Sequence, residues 1–226
     1  MRARAAQHFT VKDLKKIVTI CTQKKVKTYL TLNTILYDHD LKLMRTLCDK
    51  AKKAGITAVI VSDQAAMMYA KSINLPVHIS TQCNVTNIET VKFFAAYADA
   101  IVLARELTLQ QIKYIVNEIK KQTIVGPSGN LIKIEIFVHG ALCVAISGKC
   151  YMSLATENAS ANRGACLQNC RKAYKVIDEE TGQELEIQNN YIMSYKDLCT
   201  LRFLDQLLNA GVSLLNHNQT MQVAAS

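Results

Sequence analysis

Tryptophan is absent from the 226 residues, which include only two prolines, eight glycines and 6% aromatic side chains. So little proline and glycine excludes a collagenous or low-complexity chain. No run of about 18 apolar residues occurs, which excludes a helix long enough to cross a bilayer. The opening MRARAAQHFTVKDLKK is basic but lacks the apolar stretch of a secretory signal, so the chain reads as cytoplasmic and non-membrane. The tight C-x2-C knuckles of a structural zinc site are missing. So is the H-E-x-x-H of a zinc peptidase, and the five histidines are scattered.

Half of the residues are hydrophobic and 20% are charged. That balance suits one globular domain or a domain with a small annex. Lys and Arg number 27 against 18 Asp and Glu, a formal charge of +9. The excess favours an anionic partner such as RNA or a small organic acid.

Short β-branched runs alternate with segments of helical period. Residues 26–33, 57–63, 76–82, 99–106 and 132–140 read as buried parallel strands. DHDLKLMRTLCDKAKKAG, NIETVKFFAAYA and TLQQIKYIVNEIKKQ between them read as helices with a lysine-bearing face. The fold class is therefore α/β, a partial (βα) TIM-like barrel. The strands end in polar residues: Asn33, Ser62, Ser80 with Gln82, Arg105, and His139. In a βα barrel those ends build the functional face, so Ser62, Gln82, Arg105 and His139 are candidate substrate-binding residues.

After Gly140 the pattern changes. Residues 1–140 read as the barrel portion and 141–190 as a cysteine-rich insert, with DEETGQELE forming a hairpin or exposed loop. Residues 191–226 hold a final helix, KDLCTLRFLDQLL, and a strand near GVSLL. Cys143, Cys150, Cys166, Cys170 and Cys199 follow the spacing C-x6-C-x15-C-x3-C-x28-C. Cys21, Cys48 and Cys83 lie in or beside regular elements and read as small core residues. The wide spacing of the other five suits ligands drawn from several loops, for a 4Fe-4S cluster or for zinc.

The stretch E-x-F-x-x-G-A-L-C-x-x-x-x-S-G-x-C-x-M-S runs from Glu135 to Ser153. Together with NASANRGACLQNCRKAY and YIMSYKDLC, it resembles the collagenase-like peptidase family U32. The likeness also takes in YLTLN, VIVSD, HISTQ and IVLAREL, and is strongest to the family's prephenate-dependent tRNA uridine hydroxylase branch. It implies 5-hydroxylation of a wobble uridine, with tRNA and a small dicarboxylate such as prephenate as partners. It also implies a 4Fe-4S cluster on Cys143, Cys150, Cys166 and Cys199, with Cys170 the first substitute. Arg163 joins Arg105 as a candidate for binding carboxylate or phosphate. The family name adds a second function, a peptidase pairing His139 with Cys143; a zinc-bearing binding module is the third. Against the family pattern, the two strands that precede MRARA and an IEGR-like segment after GVSLL are missing. The resemblance thus leads us to expect an unclosed barrel, oligomeric or poorly soluble and inactive alone.

Overall fold

The structure is a computed structural model that describes residues 10–185 and 197–218. Helix α1 (Leu14–Gln23) leads into β1 (Tyr29–Leu32). The βα repeat follows as α2 (Leu41–Ala54), β2 (Ala58–Val61), α3 (Gln64–Ser72), β3 (Val77–Ile79), α4 (Ile88–Ala95), β4 (Ala100–Val102), α5 (Leu109–Lys121) and β5 (Lys133–Gly140). The five strands pair in parallel in chain order. They form the curled half-barrel that the repeat predicts.

Local chemistry fixes the boundaries. Asp63 caps α3 by accepting from the Ala65 amide at 2.9 Å, and Asn87 caps α4 through the Thr90 amide at 2.9 Å. At α5, Thr108 and Gln111 form a reciprocal capping box. Helix α2 stops at Gly55, whose φ of 83° is open to glycine at little steric cost.

Beyond the repeat lie α6 (Met152–Glu157), the antiparallel pair β6 (Val176–Ile177) and β7 (Glu184–Leu185), β8 (Leu198–Cys199), α7 (Leu204–Asn209) and β9 (Leu214–Asn218). The β6–β7 pair is the hairpin expected around DEETGQELE, and β9 is the strand expected near GVSLL. Strand β9 joins β5 in parallel, with a register shift between Phe137 and His139 that marks a bulge. One expectation fails. KDLCTLRFLDQLL is not one helix: Leu198–Cys199 pair antiparallel with the end of β5, and helix begins only at Leu204. The Thr200 amide donates to the Val138 carbonyl at 3.0 Å, so pairing with an open stretch of β5 outweighs the helical period. The 190/191 boundary of the insert lies outside the described residues.

Alternate strand residues face opposite ways. Val59, Val61, Val77, Ile79, Ile101, Ile134 and Ile136 join the apolar core that the helices cover with Met44, Cys48, Met67, Val91, Ile112, Ile115 and Ile119. His78, between Val77 and Ile79, points the other way. There the Tyr29 ring lies 5.1 Å from the His78 ring, and His78 Nδ1 lies 3.9 Å from Glu135 Oε2. Asn216 Nδ2 donates to Glu135 Oε1 at 2.6 Å.

Burial lowers His78 to about 4, so the imidazole is neutral at pH 7 and its contact with Glu135 is not an ion pair. Burial pushes Glu135 above the usual carboxylate range, against the Asn216 hydrogen bond. A histidine with a depressed folded-state pKa binds its proton more readily when unfolded. Its contribution is therefore present above the unfolded value of about 6.5 and is lost as pH falls toward 4. Between pH 7 and pH 5 this histidine should remove about 2 kcal/mol of stability. Raised Glu135 acts in the opposite direction, gaining stability on acidification. Urea midpoints at the two pH values should therefore fall further in the wild type than in His78→Gln. Equal falls would refute the assignment.

Candidate metal centre

The C-terminal ends of the strands carry the site. Asn33 Nδ2 donates to Ser80 Oγ at 3.2 Å, Ser80 donates to Gln82 Oε1 at 3.3 Å, and the Cys83 thiol lies 3.5 Å from the Ser62 carbonyl. The insert comes down onto this rim: Ser147 Oγ donates to Asn84 Oδ1 at 2.9 Å. Ser147 and Gly148 have φ of 53° and 75°, a left-handed pair that turns the chain between Cys143 and Cys150. Ser62, Gln82 and the cysteine-rich insert therefore share one end of the sheet.

Four of the five clustered cysteines, Cys143, Cys150, Cys166 and Cys170, line one small cavity with Asn169. Burial, followed by the charges of Cys143, Cys166 and Cys150, pushes the Cys170 thiol upward, and Arg171 opposes the shift. The Met152 amide donates to Cys150 Sγ at 3.4 Å. Asn169 is buried; its amide nitrogen donates to Thr156, whose hydroxyl donates to the Met152 carbonyl at 2.8 Å. Among the described residues Asn169 Oδ1 has no hydrogen-bond partner. Cys199 is not among the residues lining this cavity; it is exposed on β8 and opposite His139 in the ladder. Cys48 and Cys83 are pushed up to about 11 by burial and remain in or against the core.

A latch fastens the insert to the barrel. The Arg163 guanidinium grips both carboxylate oxygens of Asp40, donates to the Ile35 carbonyl at 2.9 Å and lies 4.6 Å from the Tyr37 ring centroid. Beside it the Ile35 amide donates to the Asn162 carbonyl at 3.1 Å, and Asn162 Oδ1 accepts from the Cys150 amide at 3.2 Å. The Arg163 hydrogen bonds hold the Asp40 carboxyl well below its usual range. Arg163, predicted to bind substrate, thus has its guanidinium engaged by protein. Arg105 lies 5.5 Å over the Phe137 ring, beside a cavity lined by Leu107, Ile112, Phe203 and Thr200. His139 is exposed near the end of β5.

Sequence reasoning missed Asp40, Asn169 and the role of Glu135. A carboxylate inside the apolar run IKIEIFV was a visible signal for Glu135. Nothing local marks Asp40, whose partner lies 123 residues away.

Among the described residues, no three Cys, His, Asp or Glu side chains are drawn tightly enough together to hold a single metal ion. No helix among them is long and apolar enough to cross a membrane.

The profile of peptidase family U32 matches residues 1–221. A protein named collagenase from Porphyromonas gingivalis is 54% identical over 212 residues, covering 94% of this chain and 51% of its own length. The 23S rRNA 5-hydroxycytidine C2501 synthase of Escherichia coli is 36% identical over 90% of this chain and 29% of its own length. tRNA hydroxylation protein P of Helicobacter pylori is 33% identical over 93% and 50%. The chain spans about half the length of the first and third of these relatives, and less of the second.

Proposed function

Because the chain belongs to peptidase family U32, we propose that it is the cysteine-bearing part of an iron–sulfur protein that hydroxylates a pyrimidine in RNA. The substrate we favour is a tRNA wobble uridine, with a dicarboxylate such as prephenate as hydroxyl donor. The gathering of four thiols around one cavity at the functional end of the half-barrel carries this reading.

The donor set fits a 4Fe-4S core: four soft sulfurs, one N–H···S bond and a backbone kinked by left-handed residues. A lone zinc ion with bonds of about 2.3 Å would need its sulfurs within about 4 Å of each other. In a cubane each thiolate ligates a different iron, so the sulfurs stand farther apart. Cys143, Cys150, Cys166 and Cys170 would hold the cluster, with Cys199 outside that set. When bound, it would supply electron transfer or Lewis-acid polarisation. Gln82, Ser62 and Arg105 at the strand ends would position base and donor beside it. Relatives named for rRNA and tRNA hydroxylation support an RNA substrate.

The 54% identity to a protein named collagenase favours a second reading, a peptidase. A thiol peptidase would need an imidazole beside its cysteine. His139 faces Cys199 across the ladder, and both are exposed. Two assays decide. Cells lacking 5-hydroxyuridine should regain it on expression of the protein and lose it again with Cys166→Ser. Gelatin hydrolysis abolished by Cys199→Ala or His139→Ala, with no change in RNA, would overturn the proposal.

A further inference from the structure

We propose that α1 and the residues that follow it form a phosphate-binding ridge for the RNA strand, an inference that rests on the RNA-modifying reading. Residues 14–37 contain Lys15, Lys16, Lys24, Lys25 and Lys27 and no Asp or Glu. All five lysines are exposed. Among the described residues none of them enters an ion pair; the lysines and arginines that do are Lys92, Lys121, Arg163, Arg171, Lys172 and Lys175.

The neighbouring acids are already engaged. Asp13 accepts from the Thr10 amide and hydroxyl, Asp40 holds Arg163, and Asp49 accepts from Tyr69 at 3.0 Å. Helix α1 packs against α2, whose Lys42, Lys50 and Lys53 are exposed and extend the same sign of charge. An α-helix rises about 1.5 Å per residue, so Lys15 near the start of α1 and Lys24 at its C-cap lie about 14 Å apart, the reach of two or three nucleotides. Asp13 at the start of α1 attracts Lys16 without forming an ion pair, and clustered lysines outside ion pairs hold a phosphate backbone without reading sequence.

A basic helix also suits an anionic membrane surface, but it must then turn an apolar stripe into the lipid. Here Val18 is buried and Leu14 packs on the core, and of the large apolar side chains of α1 only Ile20 is exposed, too little to make a stripe. That favours RNA.

The test compares the 226-residue chain with a ridge variant, Lys15→Glu/Lys16→Glu/Lys24→Glu/Lys25→Glu, and a control of equal charge change on α4 and α5, Lys92→Glu/Lys113→Glu/Lys120→Glu/Lys121→Glu. Circular dichroism and thermal melts must show both variants folded; a ridge variant that unfolds is replaced by the four Lys→Gln changes. Binding to a fluorescent RNA stem-loop is followed by anisotropy from 50 to 200 mM salt. With four phosphate contacts removed, the slope of log affinity against log salt should fall by about 3 in the ridge variant. The control should stay near the wild-type slope. Equal slopes in both variants would mean that only net charge matters and would overturn the ridge while leaving the RNA reading intact. A wild-type chain that ignores the stem-loop would overturn both. Sedimentation with phosphatidylserine vesicles but no RNA binding would replace the partner with a membrane.

Discussion

Reconstituted anaerobically with iron and sulfide, the chain should turn brown and hold about four irons, and Cys170→Ser should hold less than half as much. Each thiolate ligates its own iron, so losing one corner exposes the cluster to solvent and breakdown. Cys143→Ser, Cys150→Ser and Cys166→Ser should behave alike, because their side chains line the same cavity. Cys48→Ser should leave iron unchanged, since that thiol is fully buried in the helical layer. Cys199→Ser is the arbiter. If it strips iron while Cys170→Ser does not, β8 supplies the fourth ligand and the cavity has been misassigned. Zinc at one per chain in a colourless product would reject the cluster altogether.

The second large effect should come from a residue that touches no metal. Arg163→Ala releases Asp40, Ile35 and Tyr37 together and frees the turn that holds Asn162 against the Cys150 amide. Iron transfer to a chelator should speed up by about tenfold or more, and in the metal-free chain the four cavity thiols should alkylate faster. Alkylation separates a loosened loop from a lost ligand, because it needs no metal. Arg163→Lys should rescue only partly, since an ammonium cannot grip both carboxylate oxygens at once. The Asp40 carboxyl titrates well below its usual range, so the latch is present at and above ordinary carboxylate pH and is lost only under strong acid. Wild-type iron retention should therefore be unchanged between pH 7 and pH 5. Release and alkylation rates equal to wild type in Arg163→Ala would refute the latch.

Much of the scaffold was legible because parallel strands buried on both faces leave β-branched runs that polar residues punctuate. All five strands predicted up to Gly140 are present, the first four shortened at both ends and the fifth by one residue at its start. Ser80 and Gln82, for example, belong to a cap and a tight turn beyond β3. Helix α3 was missed, because QAAMMYAKS buries alanines and a methionine and carries one lysine, not a charged face. The cysteine cluster was visible as a composition. Which four thiols share a cavity was not, because that depends on how the loops of the insert fold back. The same limit explains Arg163: a surface cation and a latch look identical in sequence when the partner lies 123 residues away.

The sheet also has a direction in which it should come apart. Strand β5 is bonded to β4, β8 and β9, whereas β1 is bonded among the described residues to β2 alone. In deuterated buffer the amides of Ile134 and Ile136 should therefore exchange only with global opening, and those of β1 through local fraying. The lining of the thiol cavity begins at Ala141, directly after β5, and its first thiol, Cys143, lies three residues beyond Gly140. It is thus anchored to the part of the molecule that opens last, so the edge can breathe without shaking the site.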